Sequence, residues 1–172
     1  DLLPMYQSDF RAAIRLMAKI ARAVHYAHQA GILHSDLKTG NILVDEQGEP
    51  HVTDFGLAKQ CGRESNLTLS GMVMGTPSYM APEQAMGKTK HLTTAADIFS
   101  LGAMLYHMLT GHAPFETDTP LETLRKVVEQ EPVRPRQVHG SIDRELETIC
   151  LKCLEKDPAR RYGSAEGLAD DL

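Results

Sequence analysis

The sequence predicts a mainly α fold carrying one short β-hairpin. Two observations support this. Apolar residues recur at helical spacing in several long stretches, notably 14 to 28, 95 to 110 and 142 to 155. Only one place, residues 42 to 54, sets two short extended runs on either side of a turn.

Taken in order, the first helix starts at Ser8, a residue type suited to an N-cap. It carries Ile14, Met17, Ala21, Val24 and His28 on one face and is ended by Gly31. A polar stretch, "HSDLKTGN", occupies 34 to 41. Ile42, Leu43 and Val44 then form a first strand, Asp45 to Gly48 a turn, and a second short strand ends at Asp54, Phe55 and Gly56. Residues 57 to 75 hold no sustained period, and Ser65, Thr68, Ser70 and Gly71 mark a mobile loop. The strongly apolar "AADIFSLGAMLYHMLT" makes a second long helix, closed by Gly111. Helices over 119 to 130 and 142 to 155 are separated by an extended, proline-bearing "EPVRPRQ", and a last helix starts at Ser164. No internal repeat is present.

With 172 residues, 42% hydrophobic and 24% charged, the chain can bury a core of its own as one globular domain. Its 18 basic and 23 acidic residues leave a formal net charge of −5 with no basic cluster, which argues against nucleic-acid or anionic-membrane partners. No apolar run approaches the ~20 residues of a membrane span, and no signal segment opens the chain. Cys61, Cys150 and Cys153 make no disulfide framework, so a reducing compartment is expected. Cys150 and Cys153 share a helical face with Ile142, Leu146 and Ile149, and no second pair completes a zinc site; they are expected to pack. His25 and His28 are read in the same way, as packing or surface residues.

An Asp, a Lys and an Asn on a polar turn are ordinarily just solvated. Here, however, "HSDLKTGN" is followed by "DFG" at 54 to 56 and by "APE" at 81 to 83 within "GTPSYMAPE". That order and spacing resemble the protein-kinase signature, H-R-D-L-x-x-x-N, then D-F-G, then A-P-E. One such triplet alone would carry little weight; three in order are specific. The resemblance covers the whole chain, and "DIFSLG" and "CLEKDPARRYGSAEGLADDL" are most similar to the bacterial eukaryotic-like serine/threonine kinases.

The resemblance implies the helical C-terminal lobe of the α+β kinase fold over residues 1 to 172, with the hairpin carrying the catalytic and metal-binding loops. The family's first lobe supplies a G-x-G-x-x-G loop and a strand lysine. Neither pattern precedes residue 34, so the chain is expected to be a C-lobe fragment, inactive by itself, whose partners are the N-terminal kinase lobe and a protein substrate. The implied cofactors are ATP and Mg²⁺. Asp36 resembles the catalytic base, and Lys38 the cation that contacts the transferring phosphoryl group. Asn41 and Asp54 resemble the metal ligands, which with Lys38 bind the nucleotide. Thr76 resembles the threonine that hydrogen-bonds the catalytic Asp and Lys. "DLKTGN" together with Thr76 favours a Ser or Thr acceptor over Tyr.

Glu83 and Arg161 resemble a buried structural ion pair, and Asp97 the helix residue that holds the loop backbone. His34 is expected to pack in the core and orient the loop. Ser35 stands where the family most often has arginine, so a phosphate on Ser65, Thr68 or Ser70 would meet no cation at that position. The resemblance implies a serine/threonine protein kinase in the cytoplasm, free or as the cytoplasmic part of a membrane-anchored protein. The alternative is a non-catalytic kinase-like binding module, a pseudokinase or a truncated fragment.

Overall fold

The first helix, α1 (Phe10–Gln29), begins where the Asp9 carboxylate accepts a hydrogen bond from the Ala12 N–H at 3.0 Å. The computed structural model describes residues 9–55, 77–88 and 92–172, so the expected cap, Ser8, lies outside them and Asp9 does the capping. The helix stops just before Gly31, whose φ of 74° is the left-handed conformation glycine adopts freely. Its buried face is Ala13, Leu16, Met17, Ile20, Ala21, Val24 and Ala27.

A short 3₁₀ turn (Thr39–Asn41) leads into β1 (Ile42–Val44), which pairs antiparallel with β2 (Pro50–Val52) in the register Ile42 with Val52 and Val44 with Pro50. The Asp45 carboxylate closes the turn by accepting the N–H groups of Gln47 and Glu49 at 3.0 and 2.8 Å. The second strand is shorter than expected, ending at Val52 and not at Asp54: Thr53 still bonds Asn41 in register, and Asp54, at φ 63°, leaves the extended conformation.

After a second 3₁₀ turn (Pro77–Tyr79) and the one-turn α2 (Pro82–Ala85) comes α3 (Thr94–Thr110). Thr93 caps its start and Gly111, at φ 86°, ends it. Nearly every residue from Ala96 to Thr110 is buried, so α3 is the axis on which the rest packs. Helix α1 lies against one side of it, and α6 (Arg144–Cys153) against another. Gly102 allows that second approach: a Cβ there would sit 2.4 Å from the Cβ of Cys153. Cys150 and Cys153 are fully buried in this contact, as packing predicts.

Helix α4 (Pro120–Glu129) is capped by Thr119. The "EPVRPRQ" stretch, expected to be extended throughout, folds its second half into a helical turn, α5 (Pro135–Val138). Proline at the first helical position costs no hydrogen bond, which makes this turn possible. A last 3₁₀ turn (Pro158–Arg160) precedes α7 (Ala165–Asp171), capped by Ser164 as expected and packed on α1. Among the described residues no helix is long and apolar enough to cross a membrane.

Candidate active site

The stretch 34 to 41 is held by α3. Asp97, 1% exposed, accepts the backbone N–H of His34 at 2.9 Å and of Ser35 at 2.8 Å, one on each carboxylate oxygen. A third bond reaches the same carboxylate from His28 Nε2 at 2.8 Å. His28, expected to pack or face solvent, has a buried side chain and, beyond packing, is tied to Asp97. Its position on α1 opposite α3 makes this contact, which a pattern of apolar spacing along α1 cannot reveal.

Ser35 adopts φ 66°, a left-handed conformation that costs a non-glycine residue on the order of 1 kcal/mol or more. The surroundings hold it there from both sides. Asp97 takes its N–H, and Gln84 Nε2 donates to its carbonyl at 2.9 Å. Gln84 in turn accepts the Ala81 N–H at 3.1 Å, so the "APEQ" turn is fastened to the loop. Gln84 gave no signal in the sequence beyond its place directly after the motif.

His34, 1% exposed, packs in the core as expected. Its Nδ1 lies 3.3 Å from the Asp36 N–H and its Nε2 lies 2.8 Å from the Thr53 carbonyl. These partners fix the tautomer: Nδ1 accepts and Nε2–H donates. One imidazole therefore joins the turn bearing Asp36 to the segment bearing Asp54. The His34 ring also meets the Phe55 ring, with centroids 4.8 Å apart.

The structure brings three of the expected residues into one cluster. Lys38 Nζ lies 3.0 Å from Asp36 Oδ2, with both side chains partly open to solvent. The Asn41 amide nitrogen donates to the Asp36 carbonyl at 2.9 Å. The Asn41 carbonyl accepts both the N–H and the hydroxyl of Thr53, at 2.9 and 3.1 Å, which seats the exposed Asp54 beside the same turn. Asp54, like Ser35, has a left-handed φ, 63°. Thr76 lies outside the described residues, as do Gly56, Cys61, Ser65, Thr68 and Ser70.

The donor set fits a hard divalent cation bound together with phosphates. The amide nitrogen of Asn41 is committed to the Asp36 carbonyl, so among the described residues its side-chain oxygen is left to act as a ligand, and Asp54 adds a carboxylate. Among the described residues no three His, Cys, Asp or Glu side chains form a cage of their own. Magnesium needs none when a nucleotide supplies oxygens.

Glu83 and Arg161 form the ion pair the sequence suggested, with Nη1 to Oε1 at 2.8 Å and Nη2 to Oε2 at 2.9 Å. Arg161 also donates to the carbonyls of Glu155, Ala95 and Lys156, so the pair fastens α2 to α3 and to the segment after α6.

Residues 5–172 match the protein kinase domain family, and the chain belongs to that family. It is similar to a probable serine/threonine-protein kinase of Clostridium perfringens, 39% identical over 95% of this chain and 23% of the relative. It is likewise similar to serine/threonine-protein kinase PknB of Mycolicibacterium smegmatis, 37% identical over 94% of this chain and 26% of that protein. PknB of Mycobacterium leprae is 36% identical over 93% of this chain and 25% of its own length. The chain thus spans about a quarter of the length of these curated relatives.

Proposed function

We propose that this chain is the C-terminal lobe of a serine/threonine protein kinase that transfers the ATP γ-phosphoryl group to a Ser or Thr hydroxyl of a protein. A glycine-rich, lysine-bearing first lobe is its partner in the complete protein, and ATP supply puts the reaction on the cytoplasmic side. The observation that carries the reading is the fixed position of Asp36. Its N–H faces His34, its carbonyl is held by Asn41, and one side-chain oxygen is occupied by Lys38. Among the described residues its other oxygen, Oδ1, takes no hydrogen bond, and to it we assign the proton of a substrate hydroxyl.

In this reading Asp36 orients the acceptor hydroxyl and takes its proton as attack proceeds. Lys38 holds the Asp36 carboxylate in one orientation and presents its remaining ammonium protons to the transferring group. Asn41 and Asp54 would hold magnesium, which when bound neutralises charge on the nucleotide phosphates. Thr76, by the family resemblance, would hydrogen-bond Asp36 and Lys38. Ser35 is neutral, so the proposal includes no control through a phosphate paired with residue 35.

The test is phosphate transfer from radiolabelled Mg-ATP to Ser, Thr and Tyr peptides by the full-length protein and its Asp36→Asn variant. Transfer to Ser or Thr, reduced about 10²–10⁴-fold in the variant with nucleotide affinity kept, is the expected result. A wild-type protein that binds partners but transfers no phosphate would establish the non-catalytic binding module instead. A large loss of nucleotide affinity in Asp36→Asn would mean that base and metal ligand have been exchanged.

A further inference from the structure

Helix α3 is linked to the loop 34 to 41 at a second place, away from Asp97, through Tyr79. Thr39, directly after Lys38, lies with its hydroxyl 3.2 Å from the hydroxyl of Tyr79. That hydroxyl lies 2.5 Å from Nδ1 of His107, near the end of α3, and the two rings stack with centroids 6.0 Å apart. Tyr79 is itself fixed to α3, because Ser100 Oγ donates to its carbonyl at 2.9 Å. Ten residues of helix separate Asp97 from His107, a rise of about 15 Å. One rigid helix therefore grips both flanks of the turn, at His34 and Ser35 through Asp97 and at Thr39 through Tyr79. Asp36 and Lys38 sit between the two grips.

We propose that His107 is a positioning residue for the loop 34 to 41, acting through Tyr79 on Thr39, with the neutral imidazole as the working form. The consequence for turnover rests on the kinase reading above; the coupling of His107 to Thr39 does not.

With Nδ1 unprotonated, Tyr79 donates to His107 and Thr39 donates to the Tyr79 oxygen. The Tyr79 hydroxyl then donates and accepts at once, and its two bonds polarise one another. A proton on Nδ1 removes the terminal acceptor, forces the Tyr79 hydroxyl to turn, and places a charge in a half-buried site. Burial holds the His107 pKa below its ordinary value of 6.5. Of the groups facing it, the Glu116 carboxylate and the Gly111 backbone favour protonation, while His112 opposes it; Tyr79 completes the surroundings. The folded-state pKa is thus depressed, so the grip is complete above about 6.5 and is lost as pH falls below that.

The experiment uses the full-length protein with His107→Asn, His107→Leu and Tyr79→Phe. Asn places a non-titrating oxygen near the position of Nδ1; Leu offers no acceptor. Expected at pH 7.5 is a kcat about tenfold lower in His107→Leu and Tyr79→Phe, the loss of one hydrogen bond's worth of positioning, with KM for Mg-ATP unchanged. His107→Asn should recover the rate and lose the acid-side fall in kcat that wild type shows below about pH 6.5. An acid limb identical in wild type and His107→Asn, or full kcat in Tyr79→Phe, would overturn the proposal.

A nuclear magnetic resonance titration separates this from the kinase reading. The Thr39 methyl resonance should follow the His107 titration in wild type and not in Tyr79→Phe, whether or not any variant transfers phosphate. A Thr39 resonance that ignores His107 in wild type sinks the coupling even in an active enzyme; a coupled resonance in an inactive protein sinks only the kinase reading.

Discussion

Arg161 lays both terminal nitrogens on the two carboxylate oxygens of Glu83, at 2.8 and 2.9 Å, with its own side chain wholly buried. A bidentate pair in that setting is a joint between segments 78 residues apart. Arg161→Ala strands the Glu83 carboxylate and three backbone carbonyls, and should cost roughly 3–5 kcal/mol. Arg161→Lys should recover little of it, because an ammonium cannot reproduce the fork. Thermal melting of the three proteins checks this; an unchanged melting temperature in Arg161→Ala would refute it.

Asp97→Asn keeps the shape of the side chain but turns an N–H₂ toward donors. Two backbone N–H groups and His28 Nε2 converge on the carboxylate, so one of them must lose its acceptor, at about 1–3 kcal/mol. The loss should be local first. Hydrogen exchange at the His34 and Ser35 amides should accelerate more than exchange in the middle of α1, and equal acceleration at both would argue for global unfolding instead.

Ser35 tests the left-handed backbone. Ser35→Gly should be close to neutral, and Ser35→Val should cost about 1–3 kcal/mol, because a β-branched side chain crowds the backbone at φ 66°. Gln84→Glu removes the donor that holds the Ser35 carbonyl, and about 1 kcal/mol with it. Chemical denaturation gives these differences directly. Equal stability of the Gly and Val variants would show that the turn relaxes out of its left-handed conformation at no cost.

Lys156 is the test of pH. Its ammonium donates to the Val127 carbonyl at 2.7 Å and lies over the Phe115 ring, 4.0 Å from its centroid. Burial pulls its pKa from 10.5 down to about 8, with Glu131 opposing and Arg161 assisting. Between those values the unfolded chain holds the proton that the folded chain has released, so this group's contribution to stability rises with pH across the window. The buried thiols of Cys150 and Cys153, pushed up by desolvation, act in the opposite direction above their ordinary value. Comparing wild type with Lys156→Met cancels them. The stability difference should shift in favour of wild type as pH climbs from 8 to 10; a constant difference would show that Lys156 titrates normally.

The order of motifs at 34 to 41, 54 to 56 and 81 to 83, the hairpin between the first two, and the helices bounded by Gly31, Gly111, Thr119 and Ser164 were all legible in the sequence. They depend on local chemistry: caps, turn residues and apolar spacing act within a few residues of chain. So was the Glu83–Arg161 pair, through the family resemblance. What only tertiary structure decided is which side chain meets which. His28 gives its face away as part of a helical stripe, but its partner Asp97 lies 69 residues on. Gln84 reaches back 49 residues to Ser35, and Tyr79 joins Thr39 to His107 across 40 and 28. A period along one helix fixes the direction a residue points, whereas its partner depends on how separate elements pack. The left-handed backbone of Ser35 has the same origin. Nothing in a serine favours φ 66°; the turn takes it because Asp97 and Gln84, delivered by α3 and α2, hold its N–H and its carbonyl in place.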